Sequence, residues 1–244
     1  MIALDAGNSR IKWGIFADQS WQAQGALPTS DVGQLANIAQ SWPTKTSIVG
    51  CNVAGEAVEN AINAALASRF APVHWLRSAP AECGVRNTYD DPQALGTDRW
   101  AALIGARHHS KNATLVVCAG TATTVDWLDS SGTFRGGVIL PGFALMRTVL
   151  AQNTAQLALV DGAFCQEPKN TADAIISGCL HAQVGAIERL FSQLAAEPRA
   201  HCLITGGAAK HISPLLRIPL TQQATLILDG LICVGQNAFA GSSL

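Results

Sequence analysis

Apolar positions along the chain alternate between short runs and runs at helical spacing. Met1 to Leu4 form a first apolar run that ends on Asp5; Gly7-Asn8-Ser9 follows, and Ile11, Trp13, Ile15 and Phe16 begin a second run. This pattern predicts a strand, a tight turn and a returning strand. Asp18 to Gly25 reads as a turn and a further strand, and Ser30 to Trp42 as a short helix with Asp31 in its first turn. Ser47 to Cys51 is a short buried strand. Ala54, Val58, Ala61, Ile62, Ala65 and Leu66 then line one face of a helix spanning Ala54 to Phe70, and Val73 to Leu76 is another strand. Alternating β and α predicts an α/β layered domain.

The stretch from Pro80 to Gly96 breaks the rhythm. It holds Gly84, Asn87, Asp90, Asp91, Pro92 and the one tyrosine, Tyr89. It reads as a long irregular loop, of a kind more often functional than structural. It leads through Leu95-Gly-Thr-Asp-Arg-Trp100 into a helix-favouring run, Ala101 to His109. Asn112 reads as a hinge, dividing the chain into halves at 1–112 and 113–244. In the second half Thr114 to Cys118 is a buried strand, followed by Ala119 to Leu128; Gly136 to Gly142 ends a strand in a Pro-Gly turn, and Phe143 to Gln152 is helical. Asn153 to Cys165 is a connector without strong pattern. Thr171 is a natural N-cap for a helix running to Ala196, with Asp173 in its first turn. His201 to Thr205 is a strand entering Gly206-Gly207 and a helix; Thr225 to Leu228 reads as a strand and Leu231 to Ala240 as a closing helix.

The two halves open on one plan: Asp5 aligns with Cys118, Gly7 with Gly120 and Asn8 with Thr121. This weak internal repeat predicts two similar domains facing each other, their glycine hairpins clamping a polyphosphate from both sides; coincidental likeness of two hairpins is the competing reading.

Composition narrows the class. The chain has 244 residues, 48% apolar and 14% charged, with net charge −1. It can build a substantial core, and it shows no clustered basic face for nucleic acid. No run of about 18 apolar residues predicts a membrane span. Asp5 interrupts the apolar start, which argues against a signal peptide and for a cytoplasmic protein. Seven scattered cysteines without a Cys-x-x-Cys pair argue against disulfides and structural zinc.

Two places carry candidate chemistry. At the first hairpin, Gly7 and Asn8 tolerate positive φ and let backbone N–H groups approach an anion, Asp5 can hold Mg²⁺ directly or through water, and Lys12 adds positive charge; an ordinary hairpin with an exposed Asp is the alternative. At the end of the long loop, Asp98 sits at a helix start, where the dipole favours the ionised carboxylate; Asp98 or Thr97 acting simply as the N-cap is the alternative.

Taken together, Asp5 to Lys12 (Asp-Ala-Gly-Asn-Ser-Arg-Ile-Lys), Gly-Thr-Asp-Arg at 96–99, Ala-Gly-Thr-Ala-Thr-Thr-Val-Asp at 119–126, Gly-Gly-Val-Ile-Leu-Pro-Gly at 136–142, Asn-Thr at 170–171 and Thr-Gly-Gly at 205–207 resemble the type III pantothenate kinases. The resemblance implies an actin-like α/β fold of the acetate and sugar kinase superfamily, with two ribonuclease-H-like halves around a cleft. It also implies ATP-dependent phosphorylation of pantothenate, the first step toward coenzyme A, by a homodimer. By position, Asp5, Ala6, Gly7, Asn8, Ser9, Arg10, Ile11, Lys12 and Thr121 would contact ATP, with Mg²⁺ at Asp5. Tyr89, Gly96, Thr97, Asp98, Arg99 and Thr171 would hold pantothenate, and Asp98 would be the general base. Cys118 stands where many relatives carry an Asp that binds an activating monovalent cation. A thiol is a poor ligand for K⁺ or NH₄⁺, so a cation requirement at that site is doubtful. Two other readings stand beside this one: a kinase for another small hydroxylated acceptor, and a catalytically silent ATP-binding regulator of the same fold.

Overall fold

The computed structural model describes residues 1–154 and 161–240. The chain divides into two compact units, one of Met1–Lys111, Gly132–Phe134 and Thr225–Leu244, the other of Asn112–Ser131 and Arg135–Ala224. The closing segment from Thr225 therefore groups with the N-terminal residues and not with the rest of 113–244.

In the first unit the strands are β1 (Ile2–Ala6), β2 (Arg10–Ala17), β3 (Ser20–Pro28), β4 (Ile48–Asn52) and β5 (His74–Trp75), in the sheet order β3-β2-β1-β4-β5. β1 runs antiparallel to β2 and parallel to β4. All five residues of β1 are buried, as expected of a central strand covered on both faces. The segment 29–41, expected as one short helix, is a 3₁₀ turn, a single α-turn α1 (Leu35–Ile38) and a second 3₁₀ turn. Gly33 and scattered polar residues leave it no continuous apolar face. Leu35 and Trp42 nevertheless anchor it in the core with Ile62 and Leu66 of α2 (Glu56–Leu66).

The stretch from Pro80 to Gly96 is not wholly irregular. It contains a two-residue strand β6 (Ala81–Glu82), its antiparallel partner β7 (Val85–Asn87), and a 3₁₀ turn at Pro92–Ala94. Cys83 and Gly84, at φ of 47° and 77°, make the tight turn between the strands. The helix α3 (Thr97–His109) follows, almost wholly buried from Arg99 to Ala106.

In the second unit the strands are β8 (Thr114–Ala119), β9 (Ala122–Leu128), β10 (Thr133–Pro141), β11 (His201–Thr205) and β12 (Leu220–Gln222), in the order β10-β9-β8-β11-β12. Here β8 is antiparallel to β9 and parallel to β11. This is the strand order of the first unit, repeated. The first two residues of β10, Thr133 and Phe134, pair with Arg86 and Asn87 of β7 within the first unit. The helices are α4 (Phe143–Asn153), α5 (Thr171–Phe191) and the short α6 (Ala209–Ile212). Asn170, not Thr171, caps α5: its side chain accepts from the Asp173 N–H at 2.9 Å, and the helix ends at Phe191 rather than Ala196. Of the connector expected over Asn153 to Cys165, residues 155–160 lie outside the described residues.

The expected strand over Thr225–Leu228 is instead the start of the helix α7 (Leu226–Phe239), and the strand lies earlier, at β12. A short apolar run does not distinguish strand from buried helix by periodicity alone. Gly230 has a packing role inside α7: a Cβ there would meet the Ala101 carbonyl of α3, and one at Gly105 of α3 would meet the Leu226 carbonyl. The two helices cross backbone to backbone, and that contact fixes α3. Among the described residues no helix is long and apolar enough to cross a membrane.

Candidate active site

The register of the first sheet assembles a charged group at the end of β1. Asp5 lies opposite Lys12 of β2 on one side and Cys51 of β4 on the other. Directly opposed residues point to the same face. Lys12 Nζ accordingly lies 3.5 Å from one Asp5 oxygen, and Cys51 Sγ donates to the other at 3.6 Å. Asp5 is only 5% exposed. Burial raises its pKa above the ordinary carboxylate value; the Lys12 charge opposes this, and the Asp98 carboxyl pushes it further up. Burial and then the Asp5 charge drive the Cys51 thiol well above its usual range, so it stays protonated.

The turn after β1 is closed by a hydrogen bond from the Gly7 N–H to the Arg10 carbonyl at 3.1 Å. Gly7 and Asn8 do not use the positive φ they tolerate. Glycine at position 7 relieves crowding, since a Cβ there would sit 3.3 Å from the Arg10 carbonyl. Thr29 staples the turn from outside: its hydroxyl donates to the Gly7 carbonyl at 2.7 Å and its N–H to the Ser9 carbonyl at 3.1 Å. Ala6 and Ile11 are fully buried and can offer only backbone, whereas Asn8, Ser9 and Arg10 are exposed at the tip.

The start of α3 brings a second carboxylate into the electrostatic reach of the first. Gly96 holds the N-cap position without a side-chain bond. Thr97 is not the cap: its hydroxyl donates to the Asn52 carbonyl of β4 at 3.2 Å, tying the helix start to the sheet. Nor does Asp98 cap the helix; it lies in the first turn, half-buried, and accepts from the Arg99 N–H at 2.8 Å. Burial raises the Asp98 pKa, opposed first by that N–H and then by the Arg99 and Lys12 charges. Arg99 itself is buried and its Nη1 donates to the Tyr89 hydroxyl at 2.8 Å. The strand and loop carrying Tyr89 are held by Asn87, whose side chain accepts from the Tyr89 N–H and donates to the Pro92 carbonyl.

In the second unit Cys118 takes the register of Asp5: it lies opposite Thr124 of β9 and Thr205 of β11. Its turn is one residue shorter, with the Gly120 N–H donating to the Ala122 carbonyl at 3.0 Å. The Thr121 carbonyl accepts from the Gly142 N–H at 3.0 Å, binding this turn to the start of α4. Gly206, at φ 101°, also packs close to backbone: a Cβ there would meet the Ala119 backbone. Thr171 is exposed at the start of α5 and lines an apolar groove between α4 and α5. Asp5, Lys12 and Asp98 thus converge in the first unit, as do Tyr89 and Arg99, while Thr121 and Thr171 belong to the second.

Comparison with known proteins gives the family. The family model for type III pantothenate kinase matches residues 1–193. The type III pantothenate kinase of Aromatoleum aromaticum is 50% identical over 236 residues, covering 97% of this chain and 98% of its own. The chain belongs to the type III pantothenate kinase family. Among solved structures, MreB 5 of Spiroplasma citri bound to AMPPNP matches with a TM-score of 0.52 at 12% identity, covering 98% of this chain and 98% of its own. A Baf family protein from Campylobacter jejuni matches with a TM-score of 0.65 at 22% identity, covering 98% of this chain and 99% of its own. The fold is actin-like, and each unit carries the same strand order. Membership of this kinase family implies ATP as the phosphoryl donor.

Sequence reasoning missed Cys51, Thr29, Asn87 and Phe134. Cys51 could have been found from its position at the end of the second buried strand, beside a strand ending in Asp; the other three act through contacts that only the folded chain reveals.

Proposed function

We propose that this chain transfers the γ-phosphoryl group of ATP to the primary hydroxyl of pantothenate, giving 4′-phosphopantothenate and ADP. The observation that carries the reading is the convergence of Asp98, at the start of α3, with the Asp5–Lys12 pair of the first hairpin, in the first unit. Phosphoryl transfer asks for alignment and for neutralisation of developing negative charge, not for covalent help. The Gly7–Arg10 turn supplies backbone N–H groups and Lys12 a cation for the ATP phosphates. Asp98 accepts a hydrogen bond from the pantothenate hydroxyl. As that oxygen forms its bond to the γ-phosphorus and the bond to the ADP oxygen breaks, Asp98 takes the proton. Free hydroxyls are far weaker acids than a carboxylic acid, so transfer comes late; the raised pKa of Asp98 narrows the gap. Arg99, with its fork of donors, suits the pantothenate carboxylate. Tyr89, Gly96 and Thr97 complete the acceptor groups of the first unit.

The donor set fits Mg²⁺ in the manner this ion favours. Mg²⁺ keeps most of its waters and takes one or two carboxylates plus substrate phosphates. Asp5 offers one buried carboxylate, and among the described residues no group of three metal-ligating side chains forms a closed cage. Bound there, directly or through water, Mg²⁺ would offset charge on the β- and γ-phosphates. Cys118 does not fit K⁺ or NH₄⁺, because a thiol is soft and neutral, and no step is assigned to a monovalent cation.

A second copy of this chain covers the α4–α5 face. The groove there, about 580 Å³, is lined by Met146, Val149, Leu150 and Ile175, and Ile139, Leu145 and Val149 are the large exposed apolar side chains among the described residues. The reaction belongs in the cytoplasm, where ATP is supplied. Incubating the purified protein with ATP, Mg²⁺ and a mixture of pantothenate and simple sugars, followed by mass spectrometry, tests the substrate: phosphorylated pantothenate alone is expected, and a phosphorylated sugar in its place overturns the reading.

A further inference from the structure

Arg99 is 4% exposed and lies against two aromatic rings. Its guanidinium carbon is 5.6 Å from the centre of the Tyr89 ring and 5.7 Å from that of Phe134, and the two ring centres are 5.3 Å apart at 39°. Tyr89 also takes one of the five N–H groups. Phe134 takes none. A ring face stabilises a desolvated cation through its quadrupole and fixes the plane of the guanidinium without itself taking an N–H.

Phe134 is held in place from both sides. It is fully buried, its carbonyl accepts from the Thr88 hydroxyl at 2.6 Å, and it pairs with Asn87 across the β7–β10 ladder. Asn87 is the residue that fixes the Tyr89 loop. One short ladder therefore locks both rings around one guanidinium.

We propose that Phe134 is a positioning residue for acceptor recognition: its ring holds the Arg99 fork in the orientation that receives the pantothenate carboxylate. Being buried and apolar, Phe134 does not meet the substrate; it acts through Arg99. The inference rests on Arg99 being the carboxylate ligand, as proposed above.

The test is a double-mutant cycle in steady-state kinetics, with Phe134→Leu, Arg99→Met and the double variant. Phe134→Leu is expected to raise the pantothenate KM about tenfold, the scale of a desolvated cation–π contact, with the ATP KM and kcat unchanged. Phe134→Tyr, which keeps the ring, restores the wild-type KM. In the Arg99→Met background the Phe134→Leu change adds nothing. Should Phe134→Leu fail to fold by circular dichroism, Phe134→Met fills the same volume without a ring and replaces it in the cycle. An unchanged KM in the ringless variant, or its full factor added on top of Arg99→Met, overturns the Phe134 role alone. An unchanged pantothenate KM in Arg99→Met removes the carboxylate reading of Arg99 and this inference with it.

Discussion

Replacing Asp98 with Asn should move activity and stability in opposite directions. Asn keeps the shape and the acceptor oxygen for the Arg99 N–H, which now ends on the Asp98 carboxylate at 2.8 Å. It loses the proton acceptor. Loss of a general base costs about a hundredfold or more in turnover, or roughly 2.7 kcal/mol of barrier. The pantothenate and ATP binding groups are left in place, so the fall appears in kcat. Stability follows from the raised pKa. A carboxyl whose folded pKa exceeds its unfolded value contributes stability that is full below the unfolded pKa and is lost as pH rises through the folded one. At neutral pH the ionised Asp98 is therefore a cost, and Asp98→Asn should stabilise by about 1 kcal/mol, the usual scale for relieving such strain. For a chain of this length that is a gain of about 2–4 °C in Tm. The gain shrinks as pH falls toward the ordinary carboxylate range of about 4. The wild-type rate should fall on the acid side through a pKa above that range, since only ionised Asp98 accepts the proton. Differential scanning fluorimetry across pH and an ADP-coupled assay read both effects. Near-normal kcat in the variant removes Asp98 from the base role, and a lower Tm at neutral pH refutes the burial argument.

Three further perturbations probe other links. Thr29→Val removes the hydroxyl that holds the Gly7 carbonyl; with about 1 kcal/mol at stake in one hydrogen bond, the ATP KM should rise several-fold while the pantothenate KM stays put. Gly230→Ala places a methyl against the Ala101 carbonyl where α3 and α7 cross; a loss of about 1–3 kcal/mol is expected from the urea midpoint, with an unchanged midpoint ruling out the close crossing. Val149→Glu puts a charge on the apolar α4–α5 face; light scattering after size exclusion should show the wild type as a dimer and the variant as a monomer, and two equal masses would remove this face from the interface.

Much of the first unit was legible because its signals are local. Alternating apolar residues around Gly7-Asn8-Ser9 marked the hairpin, and Asp5 and Lys12 face each other because a hairpin pairs them. The likeness of the two openings was readable as well, and it reappears as one strand order used twice. The failures share a cause. At Thr225–Leu228 four apolar and β-branched residues satisfy either period, and the deciding fact is the distant contact of Gly230 with α3. Gly7 uses its small size and not its tolerance of positive φ, since a Cβ there would crowd the Arg10 carbonyl. The cap of α5 went to Thr171 in place of Asn170 because both residue types suit the position, and only the Asp173 N–H chooses between them. Phe134 and Thr29 carry no sequence signal, since an apolar residue in a strand and a threonine after one are ordinary.

The central claim is that ATP turnover at the Asp5–Lys12–Asp98 group is coupled to pantothenate. Measuring ADP release by the purified wild-type protein with Mg²⁺, with and without pantothenate, tests it most directly. The account predicts one ADP formed for each pantothenate consumed and little release without it. Equal ADP release in both conditions, or none in either, contradicts it.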